Sequence, residues 1–139
     1  MSLSATSHSI PDSLRQDILV AGRFHITTDE PVSAGGEDSA PSPHELLPAA
    51  LASCVSTTIM MYARTKGWEL GEVTVEVDYD HHSNPRRCDI AITTERPLTP
   101  VQLTRLERVA ATCPVRRAIE SGIEFVEHIG PAGAGSRAA

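Results

Sequence analysis

The chain carries three cysteines, Cys54, Cys88 and Cys113, and two of them stand where a thiol could do chemistry. Cys54 lies inside SPHELLPAALASCVSTTIMMYARTK (Ser42–Lys66), a stretch without a charge from Leu46 to Ala63. Cys113 precedes Pro114 in TCPVRR. Proline biases the residue before it away from helical geometry and suits the first position of a new helix. Cys113 is therefore expected at a helix cap, where the dipole and the following Arg116 and Arg117 favour a thiolate. The chemistry open to such thiols is nucleophilic or redox. Each also has a plainer reading: Cys54 as a small hydrophobe in a buried helix, and the Cys113 region as a helix break with a solvated basic turn. Cys88 shares the parity of Ile90 and Ile92 and is assigned to the core. The spacing contains no CxxC pair, so neither a structural zinc site nor a disulfide framework is supported.

Other ionisable residues are weaker candidates. Glu45 closes a capping box with Ser42, which is reason enough for it to be there. At about 100° per residue, Glu45 falls roughly opposite Cys54 on a helical wheel, whereas His44 falls within about 80° of it. Arg23 is a lone cation in an apolar strand, open to pairing with a carboxylate or thiolate, or to snorkelling into solvent. His81 and His82 belong to a solvated hairpin turn.

The elements that must position these residues follow from periodicity. Residues 1–15 and 131–139 are polar or small and are expected as flexible tails around a single domain, 16–130. Asp17–Thr27 is rich in β-branched and apolar residues and predicts a strand or hairpin bent at Gly22. Asp29–Pro41, with its prolines and glycines, is a loop leading into the long helix. That helix is apolar or small on every side, predicting burial all round, and Pro48 predicts a kink or a first turn set apart. Lys66 and Gly67 end it. Glu72–Asp80 and Arg87–Glu95 alternate as an antiparallel hairpin. Thr99-Pro100-Val101-Gln102 opens a second helix with the stripe Leu103, Leu106, Val109 and Ala110. A short helix runs from Pro114 to Gly122, and Ile123–Ile129 is expected as a last strand. This order gives an α+β fold with an antiparallel sheet. The sheet and the second helix cover two sides of the long helix, and in so short a chain its remaining face predicts a homodimer.

With 12 basic and 18 acidic residues the net charge is −6, which argues against nucleic acid and anionic membranes as partners. The apolar helix contains Pro48, Ser53, Ser56, Thr57 and Thr58 and is unlike a spanning segment. The first sixteen residues lack a basic start and an apolar core, so no signal peptide is read and a cytoplasmic location is expected.

Two stretches together resemble a known family. SPHELLPAALASC is similar to the first-cysteine motif of the OsmC/Ohr proteins, a proline and an acid ahead of a small-residue helix bearing a cysteine. VAATCPVRRAI is similar to their second-cysteine motif, and the two lie about 60 residues apart, as in that family. The resemblance covers about residues 17–129. It implies an OsmC-like fold, with an antiparallel sheet around a long central helix and a second Cys-bearing helix, and an intertwined homodimer. It also implies a thiol peroxidase acting on organic (lipid or alkyl) hydroperoxides. Cys54 would become a sulfenic acid and Cys113 would resolve it, with no metal or organic cofactor. An external dithiol, such as a lipoyl or thioredoxin-type donor, would reduce the disulfide. Arg23 would hold the thiolate, and the catalytic acid would be Glu45, although the family's acid position, ten before the cysteine, is His44 here. Two further readings stand beside this one. The first is a non-catalytic OsmC-like stress protein that binds a small apolar ligand at the dimer interface. The second is a hydrolase or transferase with Cys54 and His44 as nucleophile and base.

Overall fold

The computed structural model describes residues 2–132. Three antiparallel strands come first: β1 (Ala5–Ser9), β2 (Gln16–Val20) and β3 (Phe24–Thr28), in the order β1-β2-β3. The hairpin expected around Gly22 is β2–β3, closed through Ala21 and Gly22, both at positive φ (54° and 71°). The first fifteen residues are not simply a tail, since Ala5–Ser9 pairs along all of β2. Its residues are polar and exposed, so a hydrophobic pattern could not reveal a strand held by its ladder alone. Of the tail expected at 131–139, residues 133–139 lie outside the described residues.

The loop from Asp29 to Pro41 is tied around one carboxylate. Asp29 is buried and accepts hydrogen bonds from the backbone N–H groups of Glu30 (2.8 Å), Glu37 (3.3 Å) and Ser39 (3.1 Å), and from the Ser39 hydroxyl (2.6 Å). Its own N–H donates to the Pro41 carbonyl at 3.0 Å, closing the loop. Gly36 is required there: a Cβ would lie 1.9 Å from the Glu30 carbonyl oxygen. The Ser39 hydroxyl, opposed by burial and helped by the three N–H donors, lowers the Asp29 pKa to about 2 from 3.8. A carboxylate with a depressed folded pKa stabilises the fold above its unfolded pKa, and that stability is lost as pH falls towards about 2. Asp29→Asn is therefore expected to melt at least about 5 °C below the parent at neutral pH, with the gap closing between roughly pH 4 and 2. Calorimetry across that range checks it, and a pH-independent gap would contradict it.

α1 (Leu46–Lys66) follows a turn of its own. The Ser42 N–H donates to Glu45 Oε1 (2.9 Å) and the Glu45 N–H to Ser42 Oγ (3.3 Å), the expected capping box. Pro48 has no N–H to offer the His44 carbonyl, which accepts instead from Leu47 at 3.3 Å. Residues 43–45 thus form a tight turn, and regular α-helix begins only at Leu46. Gly67, at φ 69°, donates to the carbonyls of Ala63 and Arg64 and stops the helix.

β4 (Val73–Asp80) and β5 (Arg87–Thr94) form the second antiparallel pair, from Val73 opposite Thr94 to Asp80 opposite Arg87. α2 (Pro100–Ala110) starts from the Thr99–Gln102 capping box, and α3 (Pro114–Ser121) starts from Cys113. Leu51, Val55, Ile59 and Ala63 form one buried stripe of α1, packed on Leu70, Leu106, Ala110 and Cys113 and backed by the inward residues of β4–β5. Each fully buried branched side chain here contributes about 1.5–3 kcal/mol. Leu103, expected in the α2 stripe, is largely exposed because the α2 contact with α1 runs through Leu106 and Ala110.

Three expectations of burial are not met within the single chain. α1 is not covered all round: Ala50, Ser53, Thr57 and Met61 form an exposed uncharged stripe. Ile123–Ile129 forms no strand and pairs with no sheet edge among the described residues, and Phe125 is 80% exposed. Cys88 keeps the parity of Ile90 and Ile92 but sits at the end of β5 beyond the cover of α1, and it is exposed. Among the described residues the β1–β3 sheet likewise makes no extensive packed interface with the helices or with β4–β5.

Candidate active site

The fold brings Cys54 and Cys113 together. Cys54 lies on α1 between the buried Leu51 and Val55, and Cys113 is fully buried at the N-cap of α3. Cys54 packs against the buried cluster that contains Cys113, and each thiol perturbs the acidity of the other. The open first turn of α3 aims orphan N–H groups at the pair. The Arg116 N–H donates to Cys113 Sγ at 3.5 Å, and the Val115 N–H favours the charged form of both thiols.

This surrounding splits the acidities of the two thiols. Burial pushes Cys54 up, but the Cys113 S–H, the Val115 N–H and the Thr58 hydroxyl outweigh it, and the net direction is down. The Thr58 hydroxyl lies 2.8 Å from the Cys54 carbonyl, so its single proton serves that oxygen or the sulfur, one at a time. Cys113 goes up, first from burial and then because ionising it would cost the hydrogen bond it gives Cys54; the Arg116 and Val115 N–H groups offset this only partly. Cys54 is thus the thiol that ionises first, with Cys113 as its proton-bearing neighbour. Thr58 and Val115 were not singled out from the sequence. The signals were present in the i, i+4 spacing of Cys54 and Thr58 and in the free N–H groups that any helix start leaves.

The other residues expected at the site stand elsewhere in this chain. Arg23 lies in the β2–β3 turn, its guanidinium 4.5 Å from the Phe24 ring centroid. Glu45 is engaged with Ser42, which lowers its pKa through the Ser42 N–H and hydroxyl, burial opposing weakly. From Leu46, where the helix begins, to Cys54 is already a rise of about 12 Å. His44 does not face the thiol either: its ring packs edge-on against His81 (4.7 Å between centroids) and Tyr79 (5.5 Å). The turn ahead of Pro48 is out of phase with α1, so the helical-wheel angle drawn through both segments does not hold. Among the described residues no group of three or more His, Cys, Asp or Glu side chains is placed to hold a metal.

A cleft of about 760 Å³ opens between the start of α1, the β4–β5 hairpin and α3. Leu47 and Leu51 of α1, Ile90 of β5 and Ile119 of α3 supply its apolar wall, and Arg86, Arg87 and Arg116 stand on it. Leu51 is one helical turn from Cys54 on α1, but neither Cys54 nor Cys113 is among the residues that line the cleft.

Comparison with known proteins agrees with this architecture. The family model described as OsmC-like protein matches residues 36–128, which include both cysteines. A crystal structure of a proposed osmotic stress induced and detoxification response protein from Psychrobacter arcticus 273-4 superposes with a TM-score of 0.71 at 31% identity, covering 82% of this chain and 85% of that one. An OsmC-like protein from Mycoplasma pneumoniae gives 0.70 at 17% identity, over 86% and 88% of the two chains. An organic hydroperoxide resistance protein OsmC from Legionella pneumophila gives 0.59 at 22%, over 86% and 89%. A search of the curated proteins finds no match. The length and composition of α1 would suffice to cross a membrane, and its buried stripe forms the core of this α+β fold. The paired cysteine motifs, the α+β architecture and the match over two thirds of its length place the chain in the OsmC-like protein family.

Proposed function

We propose that the protein is a thiol-dependent peroxidase that reduces organic hydroperoxides in oxidative-stress defence. The observation that carries this reading is the contact between Cys54 and Cys113 with opposite shifts in acidity. The Cys54 thiolate attacks the distal oxygen of ROOH, the O–O bond breaks, and the alkoxide leaves and takes a proton to become ROH. Cys54 is then a sulfenic acid. The Cys113 sulfur attacks it, a disulfide forms, and hydroxide leaves with the Cys113 proton as water. An external dithiol of the lipoyl or thioredoxin type reduces the disulfide. The thiols carry the redox chemistry, so the proposal invokes no metal or organic cofactor, and the reducing cytoplasm is the compartment in which the cycle would turn.

A homodimer belongs to the same proposal. It is supported by the exposed uncharged stripe of α1, the apolar segment 123–129 and a β1–β3 sheet with no extensive packing on the helices or on β4–β5 among the described residues. In such an assembly Arg23, exposed on the β2–β3 turn, would approach the thiol pair of the second chain, and Glu45 would be the carboxylate available to orient it. One equivalent of cumene hydroperoxide is expected to consume both thiols and leave a Cys54–Cys113 disulfide in peptide mass spectrometry. Two free thiols after that treatment would sink the peroxidase reading.

A further inference from the structure

Away from the thiols, the fold gathers a second set of side chains able to do chemistry. His44 comes from the turn ahead of α1 and His81 from the end of the β4–β5 hairpin, yet their rings meet with centroids 4.7 Å apart and planes at 66°. His82 lies against His81 at 3.9 Å, tilted by 39°. Among the described residues the imidazole with a hydrogen-bond partner is that of His25, 3.2 Å from Asp17; the rings of His44, His81 and His82 have none. His44 and His81 also border a cavity of about 340 Å³ whose lining includes Glu45 and Asp78.

Two neutral imidazoles that share one cation, about 2.1 Å from each nitrogen and roughly 90–110° apart around it, hold their ring centres roughly 4.6–5.3 Å apart. His44 and His81 have that separation, whereas His81 and His82 are too close for it. Each ring turns about a broad sp3–sp2 torsion, so a nitrogen can swing towards a cation between them without moving the backbone. Burial first, then His82, His44 and Arg86, lower the His81 pKa against Asp80, which agrees with the neutral form that ligates. Glu45 and Asp78 favour a positive charge in the cavity, and Arg86 is the charge that opposes it. We propose that His44 and His81 together bind a divalent transition-metal cation of the nickel, copper or zinc class, with water in its remaining positions. Two protein ligands hold it, in keeping with the absence, among the described residues, of any group of three. The ligands stand on different elements, so the cation ties the turn ahead of α1 to the β4–β5 hairpin. Neither thiol takes part, and the inference does not rest on the peroxidase reading.

Nickel(II) is the probe, because imidazole holds it well whereas softer ions are drawn to thiolates. Calorimetry on the reduced full chain is expected to show one site of micromolar Kd. His44→Ala and His81→Ala should each weaken it at least about tenfold, and His82→Ala by less than about threefold. All three residues are exposed, and equal melting temperatures without metal check that the variants keep the fold. Saturating nickel should raise the melting temperature of the parent by at least about 3 °C and leave that of His81→Ala unmoved. Proton NMR of the nickel-loaded parent should show two strongly shifted ring N–H signals, one from each coordinated imidazole, a readout that needs no variant. A parent Kd weaker than about 1 mM would overturn the site. So would parent affinity retained by His44→Ala or His81→Ala, or a loss in His82→Ala as large as in His81→Ala.

Discussion

Cys54→Ser is expected to abolish peroxide consumption, lowering the rate by at least about three orders of magnitude, because a serine hydroxyl supplies no thiolate to attack the O–O bond. Cys113 variants should separate the two roles of their residue. Cys113→Ala removes both the resolving sulfur and the S–H that stabilises the Cys54 thiolate, whereas Cys113→Ser removes the first and keeps a hydroxyl donor. Both should stop after one turnover with a trappable sulfenic acid on Cys54. Only Cys113→Ala should lose much of the acidity. The pH profile of the first oxidation step in the parent is expected to have its midpoint below the ordinary cysteine value of about 8.5. The sign follows from the donors: loss of a hydrogen bond to the charged form raises the pKa, so the Cys113→Ala midpoint moves up in pH. Stopped-flow oxidation measured against pH is the check. Coincident profiles for the parent and Cys113→Ala would mean that the neighbouring thiol does not set the acidity of Cys54.

The second large effect concerns assembly. Phe125, exposed in a segment that joins no strand among the described residues, is expected to be buried across the subunit interface. A two-fold interface uses it twice. Burying one such side chain contributes about 1.5–3 kcal/mol, so Phe125→Asp should weaken association by at least about 3–6 kcal/mol, or roughly 10²–10⁴ in Kd. Sedimentation equilibrium should show a dimer for the parent and monomers for Phe125→Asp at micromolar concentration. Peroxide turnover should fall in parallel, since Arg23 would be supplied by the second chain. A monomeric parent would refute the homodimer, and a dimeric Phe125→Asp would place the contact on another face.

The sequence made the helix starts and the thiol pair legible because both are local signals. Thr99–Gln102 and Cys113-Pro114 cap α2 and α3 where their spacing puts them, whereas the Ser42–Glu45 box closes a separate turn and α1 starts only at Leu46. The β4–β5 hairpin was equally plain from strict alternation. What escaped was long-range. β1 is polar on both faces and exists only through its pairing with β2. Ile123–Ile129 has the composition of a strand but pairs with no sheet edge among the described residues. Cys88 has an inward parity at a place where the cover ends. At the site, the pairing of Cys54 with Cys113 was expected, but the orientation of His44 was not: Pro48 breaks the phase between the first turn and α1, so a periodicity argument carried across it points the ring the wrong way.

The closed loop ahead of that turn governs how far the chain can drift over time as well as where it points. Asp29 and Pro41 share a hydrogen bond, so β3 and the start of α1 are joined across the width of one peptide contact, whatever the contour of the eleven residues between them. Mechanically, the segment is a rivet rather than a tether. Its lengthening at Val32–Ala34, outside the carboxylate's reach, would add only loop entropy, about 0.6 kcal/mol for each doubling in length. A single residue inserted between Ser39 and Ser42 would instead shift the whole of α1 against β3. Variation among relatives is therefore expected to gather at the outer bend and to spare the short run that leads to Ser42.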